Sequence, residues 1–142
     1  MWLLPYAYKE EKSPHYEDLM KVAEAATFAL KSVRQTNYTY GVSREEYYPA
    51  HGVSVDWAHE KLGIKFTYIL ELNPTYGVGG AFLLPVDEIK PTLEETWAGI
   101  VEMTRSITNL SSTSEDISSS STSVWNLLLW IFNSFLAFIN IA

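Results

Sequence analysis

The sequence predicts an α/β fold in which helices pack against a sheet. Two amphipathic helix patterns lie on either side of one strand pattern, and this order of elements is typical of layered α/β domains. The chain has 142 residues, of which 47% are hydrophobic and 14% aromatic. This apolar content is sufficient for one small domain with a packed core.

The first helix is predicted from "SPHYEDLMKVAEAATFALKSVRQ", residues 13–35. Ser13 is the candidate N-cap, and Pro14 follows at the first helical position, where proline is common because no backbone N–H is needed there. Apolar residues then recur at helical spacing and predict one buried face: Tyr16, Leu19, Ala23, Ala26, Leu30 and Val33.

The strand is predicted from "GIKFTYILELNP", residues 63–74, which is rich in β-forming residues and bounded by turn residues. Glu71 is the single carboxylate near its end, and a buried glutamate is rare unless it is paired. An acid at the C-terminal end of a strand in an α/β sheet lies where such folds place their ligand crevices. The pattern alone leaves two interpretations open, a functional acid and a strand-end acid that faces solvent.

The second helix is predicted from "PTLEETWAGIVEMTRSI", residues 91–107. Thr92 and Glu95 have the spacing of a capping box, which predicts that the helix starts there. Its apolar residues predict a second buried face: Leu93, Trp97, Ile100, Val101 and Ile107. The loop "TYGVGG" between strand and helix lacks the spacing and the following lysine of a phosphate-binding loop.

The chain changes character after residue 108, and we predict three segments: a globular domain over 1–108, a Ser-rich linker over 109–123 and a hydrophobic C-terminal segment over 124–142. The last segment is close to the ~20 residues that a membrane-spanning helix needs.

Three interpretations of segment 124–142 remain open. A membrane span is weakened by asparagines at intervals of seven, which share one helical face: Asn126, Asn133 and Asn140. A Ser-rich spacer before a hydrophobic C-terminus also resembles a lipid-anchor signal, and a non-native tail is the third interpretation.

Charge and composition exclude some classes of function. The formal net charge is −7 and no basic patch is present, so nucleic acid is not an expected partner. The chain contains no cysteine, which excludes disulfides and thiolate chemistry.

The three histidines do not have the spacing of a metal site. His15 and Asp18 lie one helical turn apart but have no evident third ligand, and we expect a solvated helix start there. His59 and Glu60 are neighbours that point apart on a helix, and we expect both at the surface. We therefore predict no metal-binding residues in this chain.

The stretch "REEYYPAHGVSVDW", residues 44–57, places Tyr47 and Tyr48 before a proline and a His-Gly turn. Both tyrosines are therefore expected on a loop. A loop tyrosine can swing and donate a hydrogen bond from its phenol, although a tyrosine packed on the surface is the commoner case.

Taken together, these stretches resemble the C-terminal half of the zinc metallocarboxypeptidases of the carboxypeptidase A type. The similarity is carried by "LLPYAY", "HYEDLMKVAEAATFAL", "YTYG", "YYPAHGVSVDW", "LGIKFTYILEL" and "FLLPVDEIKPTLEETWAGI", and it runs from Leu3 to about Ile107. The resemblance implies the C-terminal part of a mixed-sheet α/β/α fold, so that the chain is a fragment of the family domain.

The resemblance also implies roles for individual residues. Glu71 matches the catalytic glutamate, which takes a proton from a zinc-bound water and returns it to the leaving amine. Tyr48 matches the mobile tyrosine that closes over substrate. Ser54, Val55 and Ile69 match positions that line the substrate pocket. Because Val55 is apolar, an aliphatic or aromatic C-terminal residue is the expected substrate.

Zinc is the cofactor that the resemblance implies for the full family domain, with its ligands upstream of the residues present here. The implied partners are peptide or protein C-termini, and the implied location is extracellular, with a membrane anchor if segment 124–142 is retained. Two sequons, at Asn37 and Asn109, are compatible with secretion.

A second hypothesis stays open, a truncated non-catalytic protein that binds peptides or membranes and lacks the zinc site, because the zinc ligands that the resemblance implies are expected upstream. After Glu71 the family usually continues with Arg-Asp, whereas this chain has Asn73 and Pro74, a departure that concerns the geometry of the following loop. In either case we expect the chain to expose apolar surface that the rest of the family domain would cover.

Overall fold

The computed structural model describes residues 1–72 and 84–114. Its elements in chain order are β1 (Trp2–Leu4), α1 (Tyr16–Arg34), β2 (Tyr40–Val42), α2 (Ser43–Glu46), α3 (Ser54–Lys61), β3 (Ile69–Leu70) and α4 (Val86–Ser114). The chain divides into two compact units, Met1–Ile107 and Thr108–Ala142. The predicted α/β class is confirmed.

The three described strands form one mixed sheet in the order β2-β1-β3. Strand β1 pairs in parallel with β2, where Trp2 lies opposite Tyr40, and antiparallel with β3, where Trp2 lies opposite Leu70. All three residues of β1 are buried. A central strand that is apolar throughout is expected when both faces of a sheet are covered.

Helix α1 confirms most of the predicted buried face. Its buried residues are Leu19, Val22, Ala23, Ala26, Thr27 and Leu30, whereas Val33 is exposed. The predicted start was wrong by two residues, because the helix begins at Tyr16 with His15 as N-cap. Ser13 still satisfies one backbone donor, since its Oγ accepts the His15 N–H at 3.0 Å.

Helix α4 differs more from its prediction. It begins at Val86 and contains Pro91, so the predicted capping box, Thr92 and Glu95, lies inside the helix and is buried. Leu93 and Trp97 were expected in the core but are 41% and 62% exposed. Ile107 is buried as predicted.

Helix α4 approaches β1 and α1 closely at Gly99. A Cβ placed there would lie 3.0 Å from the Trp2 ring and 3.1 Å from the Ala26 carbonyl oxygen, so a larger residue would require these neighbours to shift by a few tenths of an ångström. The side chains that share the inward face of the helix are therefore those spaced around Gly99: Thr92, Glu95, Thr96 and Met103.

Glu95 is fully buried but has two hydrogen-bond donors from a distant segment. Thr36 Oγ1 donates to one carboxylate oxygen at 2.6 Å and the Tyr38 hydroxyl to the other at 3.4 Å. A buried carboxylate is tolerated when such donors replace water. This cluster joins α4 to the connection between α1 and β2.

The predicted strand over residues 63–74 is much shorter in the structure, where only Ile69–Leu70 is a strand. Gly63 has φ +67°, and the Ile64 N–H bonds to the Ala58 carbonyl oxygen at 3.2 Å, so this stretch first closes the end of α3. The Tyr68 hydroxyl then donates to the Leu19 carbonyl oxygen at 3.0 Å. Such tertiary contacts decide a short strand's length more than propensity does.

Some segments discussed above lie outside the described residues. They are Asn73-Pro74, the Gly-rich loop, the second part of the predicted linker and segment 124–142. Helix α4 includes residues 109–114, which we had predicted to belong to the linker. Within residues 1–72 and 84–114, no helix is long and apolar enough to cross a membrane.

The buried cluster yields a stability prediction. Replacing Glu95 with alanine removes the acceptor of Thr36 and Tyr38 and leaves a cavity, so we expect the free energy of unfolding to fall by about 2–4 kcal/mol. The matched control is Glu94→Ala, since Glu94 is an exposed neighbour and its change should stay within about 0.5 kcal/mol. Denaturant titration of both variants measures the difference, and equal losses would contradict the role of Glu95.

Candidate functional site

Glu71 lies directly after β3 and is half-buried. Its backbone is fixed against the start of β1: the Glu71 N–H donates to the Met1 carbonyl oxygen at 2.9 Å, and the Met1 amine donates to the Glu71 carbonyl oxygen at 2.6 Å. Burial lowers the pKa of that amine from 8.0 to about 6, against the opposing effect of the Glu71 charge. Within the described residues the Glu71 carboxylate itself makes no hydrogen bond.

Tyr47 and Tyr48 follow α2 as an exposed pair. Their ring centroids are 4.3 Å apart with planes inclined at 40°, and their side chains are 49% and 55% exposed. The negative charge of Glu71 is the largest cause that raises the pKa of Tyr47. Tyr47 therefore feels the field of Glu71, a relation that the sequence did not reveal because 24 positions separate the two residues.

The other predicted site residues occupy different environments. Ser54 is the first residue of α3. It lines an open groove of about 540 Å³, which is also lined by aromatic and charged residues, among them Tyr8, His51, Trp57 and Glu60. Val55 is buried at 1% exposure, and Ile69 is half-buried in β3. Among the described residues this groove is not lined by Glu71 or Tyr48.

Asp56 fixes α3 against the chain that follows β1. Its carboxylate accepts the Ala7 N–H at 3.1 and 3.0 Å and the Tyr8 N–H at 3.2 Å. Burial raises the pKa of Asp56, because desolvation outweighs the hydrogen bonds from Ala7 and Tyr8. These contacts give Asp56 a structural role, because backbone N–H groups occupy its carboxylate.

His59 was predicted at the surface, and that prediction was wrong. The ring is buried, with Nδ1 2.9 Å from the Ile64 carbonyl oxygen and Nε2 2.7 Å from Ser13 Oγ. Because a carbonyl oxygen can only accept, Nδ1 carries the proton and Nε2 accepts from Ser13 in the neutral ring. The error arose because neither partner is close to His59 on its own helix.

Burial lowers the pKa of His59 below its ordinary value of 6.5, partly opposed by the bond to the Ile64 carbonyl. The neighbouring His15, whose ring centroid is 6.0 Å away, acts in the lowering direction, and Asp56 in the raising direction. The neutral ring is therefore the form that the fold favours.

A metal site would need a group of at least three His, Cys, Asp or Glu side chains. No such group occurs among residues 1–72 and 84–114. The described residues therefore do not by themselves fit a zinc ion, which ordinarily takes three or four protein ligands.

Comparison with known proteins gives a consistent result over this part of the chain. The family model described as zinc carboxypeptidase matches residues 1–99. Mouse carboxypeptidase A4 is 45% identical over 98 residues, which cover 69% of this chain and 23% of the mouse protein. Bovine carboxypeptidase A1 is 40% identical over 109 residues, covering 76% and 25% respectively.

The fold is similar to that of a solved relative. The structure of bovine thrombin-activatable fibrinolysis inhibitor in complex with tick carboxypeptidase inhibitor gives a TM-score of 0.69 at 34% identity, covering 76% of this chain and 36% of the other. The mixed α/β architecture described above is thus shared with that protein. The chain spans about a quarter of the length of the relatives that it matches in sequence.

The buried histidine yields a pH prediction. Between its lowered folded pKa and 6.5, the unfolded chain binds more protons at His59 than the folded chain, so the free energy of unfolding falls as pH falls through this window. The Met1 amine acts in the same direction between pH 8 and about 6. We therefore expect His59→Gln to reduce the dependence of the free energy of unfolding on pH below pH 6.5, while the dependence above pH 6.5 persists.

The measurement is denaturant unfolding at closely spaced pH values. His51→Gln is the matched control, because His51 is exposed and its replacement should leave the slope unchanged. A His59→Gln slope identical to that of the wild type would contradict the assignment.

Proposed function

Because the chain belongs to the zinc carboxypeptidase family, we propose that it contributes part of the active site of a hydrolase that removes C-terminal residues from peptides. The observation that supports this most is the half-buried Glu71, whose backbone is fixed beside β1 and whose carboxylate makes no hydrogen bond within the described residues. The chain covers only 23–25% of its relatives, so the activity belongs to a protein in which the remaining part is also present.

Glu71 serves in this proposal as general base and acid. A carboxylate accepts a proton from the attacking water and returns it to the leaving amine when it is held within hydrogen-bond reach of both. The backbone bonds between Glu71 and Met1 restrict where that carboxylate can lie. A fixed position matters because small misplacements of a catalytic group are costly.

Tyr48 is the proposed lid residue. Its side chain is 55% exposed and contacts Tyr47, so it can move without breaking a packed core. A phenol that swings over the site donates a hydrogen bond to the bound peptide. Tyr47 lies within the field of Glu71 and is a second phenol available at the same place.

Ser54, Val55 and Ile69 are the proposed substrate-pocket residues. Val55 has an apolar side chain that is buried within the described chain, and Ile69 adds a second apolar surface. An apolar pocket favours aliphatic or aromatic C-terminal residues but discriminates among them by only about 1–3 kcal/mol per methylene. We therefore expect a broad apolar preference.

Zinc is the cofactor of the family domain to which the chain belongs. Since the described residues contain no group of three candidate ligands, we assign no zinc ligand to this chain. The proposed substrates are peptide or protein C-termini, and the proposed location is extracellular. Anchoring through segment 124–142 remains a prediction, since that segment lies outside the described residues.

A second candidate is a non-catalytic protein that binds peptides or membranes. The observation that favours it is the open groove beside α3, which among the described residues is lined by neither Glu71 nor Tyr48. The two candidates are distinguished by zinc binding and peptidase assays on the full chain and on a chimera. Hydrolysis by the chimera supports the first candidate, whereas a folded but inactive chimera supports the second.

The chimera tests Glu71 directly. In it, this chain replaces the matching 98 residues of mouse carboxypeptidase A4, which supplies the rest of the domain. We expect Glu71→Gln to lower kcat by about a hundredfold to ten-thousandfold with little change in KM, because it removes the proton acceptor. The matched control Glu94→Gln, an exposed carboxylate on α4, should keep full activity. Normal turnover by Glu71→Gln would refute the proposed mechanism.

The same chimera tests the pocket assignment. Val55→Asp places a carboxylate at the proposed pocket, so we expect preference to shift from peptides that end in phenylalanine or leucine to those that end in lysine or arginine. The measurement is kcat/KM for matched peptides, with Val53→Asp on the adjacent groove as control. An unchanged ranking in a folded Val55→Asp chimera would remove Val55 from the pocket.

A further inference from the structure

The connection between α1 and β2 carries the sequon "NYT", Asn37 to Thr39. Such a motif is weak by sequence alone, because it occurs often by chance and marks a site only where the asparagine reaches solvent in a secreted protein. The contacts and exposure of residues 36–39 in the structure show which side chains of this segment reach solvent.

The two residues that alternate with the sequon positions point inward. Thr36 Oγ1 lies 2.6 Å from one oxygen of the buried Glu95 carboxylate, and the Tyr38 hydroxyl lies 3.4 Å from the other. Exposure alternates along the segment, since Asn37 and Thr39 are exposed whereas Tyr38 between them is buried. The side chains of Asn37 and Thr39 therefore face away from the buried Glu95 carboxylate.

The segment is held firmly although its outer side chains are free. The Thr39 carbonyl oxygen accepts the Trp2 N–H at 2.8 Å, which ties the sequon to β1. Within the described residues, neither the Asn37 amide nor the Thr39 hydroxyl makes a side-chain hydrogen bond. Side-chain hydrogen bonds within the described residues therefore do not occupy the Asn37 amide or the Thr39 hydroxyl. Because both side chains are exposed, a bulky substituent can be accommodated there.

We propose that Asn37 is a site of N-linked glycosylation. The donor class is an oligosaccharide on a polyprenyl diphosphate. The Asn37 Nδ2 forms a bond to C1 of the first sugar, the bond between C1 and the diphosphate oxygen breaks, and the lipid diphosphate leaves. The amide proton lost from Nδ2 passes to the transferase or solvent, and no oxidant or reductant is needed.

Thr39 has a defined part in this step. Asn37 and Thr39 are both exposed on either side of the buried Tyr38, so the Thr39 hydroxyl is available to the transferase together with the Asn37 amide. Transfer to the amide is therefore sensitive to the hydroxyl at position 39.

The second sequon, Asn109 to Ser111, provides an internal comparison. It lies within α4, and residues i and i+2 of a helix do not face each other. The structure therefore singles out Asn37 as the occupied site.

The test uses the full chain, residues 1–142, directed into the secretory pathway of animal cells by an added leader. Peptide-N-glycosidase should then produce one discrete mobility increase. When the digestion is run in ¹⁸O water, the tryptic peptide that contains position 37 should carry the label, because the enzyme converts the linked asparagine to aspartate.

Four variants define the site. Asn37→Gln and Thr39→Ala should abolish the mobility increase, whereas Thr39→Ser, which keeps a hydroxyl, and Asn109→Gln should retain it. No sensitivity to the glycosidase, or a loss of sensitivity in Asn109→Gln with retention in Asn37→Gln, would overturn the proposal. The readout is independent of hydrolysis, so its failure leaves the proposed peptidase function untouched.

Discussion

The carboxylate of Asp56 is the constraint on which the described site depends. It accepts three hydrogen bonds from two consecutive backbone N–H groups, those of Ala7 and Tyr8. This fixes the first turn of α3 against the chain that leaves the central strand β1. Ser54 and Val55 lie in that same turn, so their positions relative to the sheet follow from one buried acid. Breaking such a charged hydrogen-bond cluster is more costly than losing a surface ion pair.

A second buried carboxylate, that of Glu95, joins α4 to the connection between α1 and β2. Glu95 is brought inward because Gly99 allows α4 to approach the Trp2 ring and the Ala26 carbonyl. Thr36 and Tyr38 satisfy it, which in turn fixes the segment that displays Asn37. The same orientation leaves Leu93 and Trp97 exposed. The orientation of α4 thus places a polar cluster inside the protein and leaves two apolar side chains of the same helix exposed.

The proposed catalytic groups depend on the sheet in a different way. Glu71 directly follows β3, which pairs with β1. Tyr47 and Tyr48 follow α2, the short helix that comes directly after β2. Because β2 and β3 flank the same central strand, three chain segments far apart in sequence converge there. This convergence explains how the charge of Glu71 can raise the pKa of Tyr47. The chain spans about a quarter of the length of the relatives that it matches in sequence.

The sequence by itself determined the α/β class, the family and the buried face of α1, because apolar periodicity and motif spacing are local properties of the chain. It also predicted Glu71 and Tyr48 as the catalytic groups, a prediction that awaits its test. It did not determine the burial of His59 or Glu95, nor the inward face of α4. Three of their partners, Ser13, Thr36 and Tyr38, lie 46 to 59 positions away in sequence, and only tertiary packing could show that these polar atoms are satisfied inside the protein rather than by water.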